Sequence, residues 1–235
     1  MISILVLGFL VGMRHALEAD HLAAVATLVA DRGGARKMAL RGAVWGVGHT
    51  LTLFLVAGVC LVLGGVVPER LSWVAELAVG VMLILLGADV LLRMRRGGVH
   101  LHAHEHADGT VHLHAHAHHH DAPHDDEAAH RHRHERGFLR RALAVGMVHG
   151  LAGSAALLLL ALPVGGSPWL VLAYVACFGL GSVLGMALLS AVIAVPLQAS
   201  ARLLEGAYRT LMMAVGFASA AVGAWILYGL SAGAH

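Results

Sequence analysis

The sequence predicts an all-α membrane protein, with six transmembrane helices forming two inverted three-helix repeats and a disordered cytoplasmic histidine-rich loop between them. Three observations lead there. Of 235 residues, 58% are hydrophobic and only 13% charged, roughly half the ~25% charge of a soluble domain. Six apolar segments can be drawn, each long enough for the roughly 20 residues that cross a bilayer. Two short motifs recur in the same order in both halves of the chain.

The segments run near 2–30, 42–66, 71–93, 139–162, 168–196 and 208–231. The first carries no basic stretch ahead of its apolar run, so it reads as a retained helix and not a signal peptide. A basic loop around Asp31–Arg41 separates it from the second, and Pro68-Glu69-Arg70 makes a tight link to the third. Residues from about 94 to 138 are a long polar insertion, and Pro163–Pro168 is a Pro/Gly turn between the fourth and fifth segments. The chain therefore divides into a first three-helix unit (1–93), the insertion (94–138) and a second three-helix unit (139–235). Glycine is abundant, with 29 residues, and aromatics are few, as expected of helices whose backbones approach closely. Cys60 and Cys177 lie in apolar runs without charged neighbours and read as free thiols serving as small hydrophobes.

Sidedness follows from the basic residues. The loops after the first, third and fifth segments hold four, eight and two Lys/Arg with their flanks, while those after the second and fourth hold one and none. Positive residues stay inside, which puts both termini outside and the insertion in the cytoplasm of an inner-membrane protein. The repeat rests on Gly12-Met13-Arg14-His15-Ala16-Leu17 against Gly146-Met147-Val148-His149-Gly150-Leu151, and on Gly46-Val47-Gly48-His49 against Gly179-Leu180-Gly181-Ser182. Three helices is an odd number, so the second unit must be inverted, a recurring plan of secondary transporters with a site near the midplane.

The chemistry concentrates in Arg14-His15-Ala16-Leu17-Glu18-Ala19-Asp20-His21, inside the first apolar run. A charge at the bilayer centre costs about 2.5–3.5 kcal/mol on insertion scales, so intramembrane ionisable residues mark a site or a pathway. On an ideal helix His15, Glu18 and His21 share one broad face and Asp20 points away. Either Asp20 orients a histidine on a neighbouring helix, or the helix is unwound here so that all converge. Imidazoles with carboxylates suit a divalent transition metal. The plainer alternative is a buried ion-pair network, Arg14 with Glu18 plus hydrogen-bonded histidines. His49, flanked by glycine in the second segment, and His149, the repeat partner of His15, are further candidates for the metal shell. Thr50, Ser154 and Ser182 are candidates for the shell or its pathway, and equally for packing hydroxyls.

The first of these motifs resembles the His-x4-Asp-His signature of the nickel/cobalt transporter family and its wider relatives, and Gly48-His49-Thr50 is similar to that family's second-helix element. The resemblance implies a polytopic permease for Ni²⁺ or Co²⁺, with His15, Asp20 and His21 selecting the metal and His49 assisting. Three departures stand out. Glu18 takes a place where the family often has Asp, the acidic-amide pair that often follows the motif is missing, and classical members have eight helices.

Between residues 100 and 134 lie fourteen histidines, a tract with no apolar face to bury and so expected to be disordered. His100, His102, His104, His106, His112, His114, His116, His118, His119 and His120 read as weak loop metal ligands. Such a loop collects ions for export, buffers them after import, or is a plain solvated linker. No nucleotide-binding loop is present, and no basic helical face with interleaved aromatics suits nucleic acid. The expectation is a non-enzymatic secondary permease without a cofactor, whose partners are membrane lipid, the transported ion and an unidentified coupling protein or metallochaperone. An inside-negative potential supplies about 2.3 kcal/mol per charge per 100 mV, which favours uptake of a dication; export is the alternative. An intramembrane zinc hydrolase is a remoter one, because the six-residue spacing of His15 and His21 departs from His-Glu-x-x-His.

Overall fold

The computed structural model describes residues 2–29, 34–63, 68–95, 100–105, 111–116, 137–152, 167–203 and 205–233. Seven helices and one hairpin make up these residues: α1 (Ile2–His15), α2 (Ala19–Val29), α3 (Ala35–Leu63), α4 (Glu69–Arg95), β1 (His100–Glu105), β2 (Val111–His116), α5 (residues 137–152), α6 (Pro168–Leu203) and α7 (Glu205–Ala232). Four helices are individually long and apolar enough to cross a membrane: α3, α4, α6 and α7. The bent pair α1–α2 makes a fifth such span. The protein is thus a multi-pass helical membrane protein. The sixth expected segment is described only as α5, its remainder lying outside the described residues.

The first apolar run is not one helix. Its two halves meet at 59°, across a turn in which Leu17 N–H donates to Arg14 O at 2.9 Å and Glu18 N–H to His15 O at 3.1 Å. Neither proline nor glycine causes this break. A new helix N-terminus instead opens in the middle of the span, with amides free to bind an acidic group. Asp20 takes that role: its Oδ1 accepts the His21 backbone N–H at 2.9 Å.

Around this element the helices pack in pairs. α3 lies antiparallel to α6 and α4 antiparallel to α7, while α1 runs alongside α6 in the same direction. Glycines permit the close approaches. A Cβ on Gly12 of α1 would strike the carbonyl of Phe178 on α6, and one on Gly146 of α5 would strike the carbonyl of Trp45 on α3. Gly48 of α3 is pressed to Leu143 of α5 in the same way as Gly181 of α6 is pressed to Phe9 of α1. Gly80 meets Gly223, and Gly87 meets Gly216, across α4 and α7. The contacts of Gly12 and Gly146, and those of Gly48 and Gly181, thus match across the two halves. A buried core of Ala24, Val25, Met38, Trp45, Leu83, Met186 and Met212 joins α2, α3, α4, α6 and α7. Cys60 and Cys177 are free and half-buried.

At the end of the bundle that bears the insertion, Asp89 accepts from Arg93 Nη2 at 3.0 Å and from Arg141 Nη2 at 2.8 Å. The second bond ties α4 to α5, the two stems of the insertion. Within the insertion, residues 100–105 and 111–116 depart from the expected disorder, the rest of the tract lying outside the described residues. β1 and β2 pair antiparallel over six residues each, because alternating His and Leu/Ala have the period of a strand.

Candidate metal site

Four histidines from three separate spans meet inside the bundle. α1 ends on His15, α2 opens with Asp20 and His21, α3 brings His49 and α5 brings His149. His21, His49 and His149 are at most 1% exposed. Ring centroids lie 4.3 Å apart for His15–His21, 5.2 Å for His15–His49, 5.2 Å for His21–His49 and 4.2 Å for His21–His149. Two overlapping triads result, His15/His21/His49 and Asp20/His21/His149, each with ligating atoms within 4.8 Å of one another.

The hydrogen bonds assign each ring a direction. A carboxylate only accepts, so a ring nitrogen bound to one carries the proton. Glu18 Oε1 lies 2.9 Å from His15 Nδ1. Asp20 Oδ1 lies 3.0 Å from His21 Nδ1, and its Oδ2 lies 2.8 Å from His149 Nε2. In each ring the opposite nitrogen is then the acceptor: Nε2 of His15, Nε2 of His21 and Nδ1 of His149. All three are buried and have no hydrogen-bond partner among the described residues, and neither nitrogen of His49 has one. Unpaired buried acceptors are costly. A carboxylate on one imidazole nitrogen with the other left bare is the usual setting of a metal-ligating histidine. The donor set fits a divalent transition ion.

Both alternatives left open for Asp20 are therefore realised together. The helix is broken at the motif, and Asp20 reaches a histidine on another helix. Glu18 pairs with His15, and no Arg14–Glu18 ion pair is present among the described residues. Thr50 Oγ1 donates to the Gly179 carbonyl at 3.2 Å, a helix-packing bond and not a contact with the triads. Ser182 is buried with its Oγ 4.0 Å from Met186 Sδ. Ser154 lies outside the described residues, as do His106, His118, His119 and His120.

Two aromatic walls escaped the sequence reading. Trp45 is fully buried, 5.5 Å from His21 and 5.7 Å from His149, with its Nε1 unpaired among the described residues. Phe178 closes the other side at 5.3 Å from His15. Trp45 lies one helical turn before His49, so spacing on α3 was the available signal.

The chain is 31% identical to the urease accessory protein UreH of Bacillus sp. (strain TB-90) over 232 residues, covering 98% of this chain and 92% of the relative. The chain belongs to the UreH family. No protein-family model matches it, and no solved structure does. The alignment spans both halves of the chain and the insertion, so membership rests on the whole architecture and not on the histidine motif alone.

Proposed function

We propose that this UreH-family protein is a secondary permease that carries Ni²⁺ or Co²⁺ across the cell membrane, in the direction of uptake. The observation that carries this reading is the set of bare, buried imidazole nitrogens: those of His15, His21 and His149, each aimed by a carboxylate on its far side, and beside them the ring of His49, unpaired among the described residues. The full-length likeness to a urease accessory protein supports nickel handling, and it supports placement among the nickel/cobalt transporters that the first motif implies. The ion would bind between His15, His21 and His49, with His149 alongside. Asp20 and Glu18 hold the rings in the tautomers that leave lone pairs for it, and Trp45 and Phe178 keep water out.

The six-span, inverted-repeat plan belongs to the same reading. Its support is the reciprocity of the glycine contacts, Gly12 with Phe178 against Gly146 with Trp45, at offsets of 134 and 133 residues in the numbering. A pseudo-two-fold axis would then pass near the site, and both termini would face outward with the insertion in the cytoplasm.

Radioactive nickel uptake into liposomes holding the purified protein, under an inside-negative potential, tests the reading. Influx that follows the potential and disappears in His15→Ala is the expected result. Efflux driven by a proton gradient, without potential-driven influx, would instead establish an exporter fed by the cytoplasmic insertion.

A further inference from the structure

The buried cluster leaves the histidine-rich insertion unused, and the backbone register there is specific. His100 stands opposite His116, His102 opposite His114, and His104 opposite His112. The intervening rungs are Leu101 with Ala115 and Ala103 with Leu113. In the two strands every histidine is paired with a histidine. Residues two apart share a face, so the six histidine positions fall on one face and Leu101, Ala103, Leu113 and Ala115 on the other.

Opposed Cα atoms in such a pair are about 4.5–5.5 Å apart, and successive rungs on one face are roughly 6.8 Å apart along the strand. Two neighbouring rungs thus bring four histidine positions into one small patch. We propose that this hairpin face, where histidine positions stand side by side on two adjacent rungs, is a discrete site for a divalent late-first-row transition ion, separate from the cluster inside the membrane. Imidazole is the ligand these ions favour. An isolated two-stranded hairpin is marginal in water, so ion binding and strand pairing form one equilibrium, as in other small metal-bound units. This site stands whether or not the buried cluster carries ions.

A composition-preserving swap tests it. The variant H102A/A103H/H114A/A115H keeps all 19 histidines but removes the middle rung, so no two adjacent rungs remain. A second variant, H118A/H119A/H120A, removes three histidines outside the ladder. Full-length protein in detergent is titrated with NiCl₂ against a chromogenic chelator, with helical circular dichroism checking the membrane part. The buried cluster is common to all three proteins, so differences report on the insertion. The expected result is an affinity about tenfold or more weaker for one Ni²⁺ site in the swap, as preorganised neighbouring ligands are lost, with the second variant like wild type. Equal binding by swap and wild type would overturn the proposal. So would an equal loss in both variants, which would mean that composition alone governs binding.

Discussion

The two halves of this chain share two matching glycine contacts, at Gly12 with Gly146 and at Gly48 with Gly181, but differ widely in chemistry. In the first half, the span that contains Gly12 carries His15 at the end of α1, Glu18 in the turn and Asp20 and His21 on α2, and α3 carries His49. In the second, the helix that contains Gly146 keeps only His149, and α6 has Ser182 where α3 has His49. Phe178 occupies the place on α6 that Trp45 occupies on α3, and each receives a glycine of the other half against its carbonyl. The difference teaches that close packing and ion chemistry are separable here. Glycine contacts set where the helices sit, while the carboxylates and most of the imidazoles come from one side only. His149 is the second half's contribution, and it arrives through Asp20.

That comparison can be broken first at Asp20. Its two oxygens serve rings on two different helices. In Asp20→Asn one oxygen becomes a donor, so one ring loses its acceptor and its preferred tautomer. Metal affinity should fall about 10–100-fold, the usual cost of losing a carboxylate behind a ligating histidine, with thermal unfolding little changed. Isothermal titration with Ni²⁺ reads this, and an unchanged affinity would remove Asp20 from its orienting role. Next come the paired glycines. Gly12→Ala and Gly146→Ala each drive a methyl into a carbonyl of the other half, so each should cost roughly 1–3 kcal/mol by overpacking. Similar losses in detergent unfolding would support reciprocal packing; a loss at one position alone would count against it. The smallest effect is expected at Thr50→Val, which deletes the bond to Gly179 O and should cost about 0.5–1.5 kcal/mol of stability. Its Ni²⁺ affinity should match wild type, whereas weaker binding would return Thr50 to the ion's path.

Much of this was legible in the sequence because membranes make polar residues conspicuous. His15, Asp20, His21 and His49 stood out as ionisable groups in apolar runs, and the glycine repeats pointed to the interhelical contacts. The 59° break in the first span was open only as an alternative, since neither proline nor glycine marks it. What decides it is Asp20 capping a new helix start and reaching His149, a partner 129 residues away. Arg14 with Glu18 was the natural local pair by spacing, yet the turn between the two helices hands Glu18 to His15. Phe178 was missed because a single aromatic in an apolar helix carries no signal until its neighbours are known, and Trp45 because its one-turn spacing to His49 tells only once His49 is placed in the site. The hairpin was hidden for another reason: composition argues for disorder in so polar a tract, while its alternation argues for a strand.

The central claim is that the ion sits on His15, His21 and His49 of the first half, with His149 the second half's one contribution. His49 and Ser182 are the pair to compare, both fully buried and matched in the two motifs. Nickel flux into liposomes should fall to background in His49→Ala and stay near wild type in Ser182→Ala, with both variants folded. Flux retained in His49→Ala, or lost equally in Ser182→Ala, would contradict the account.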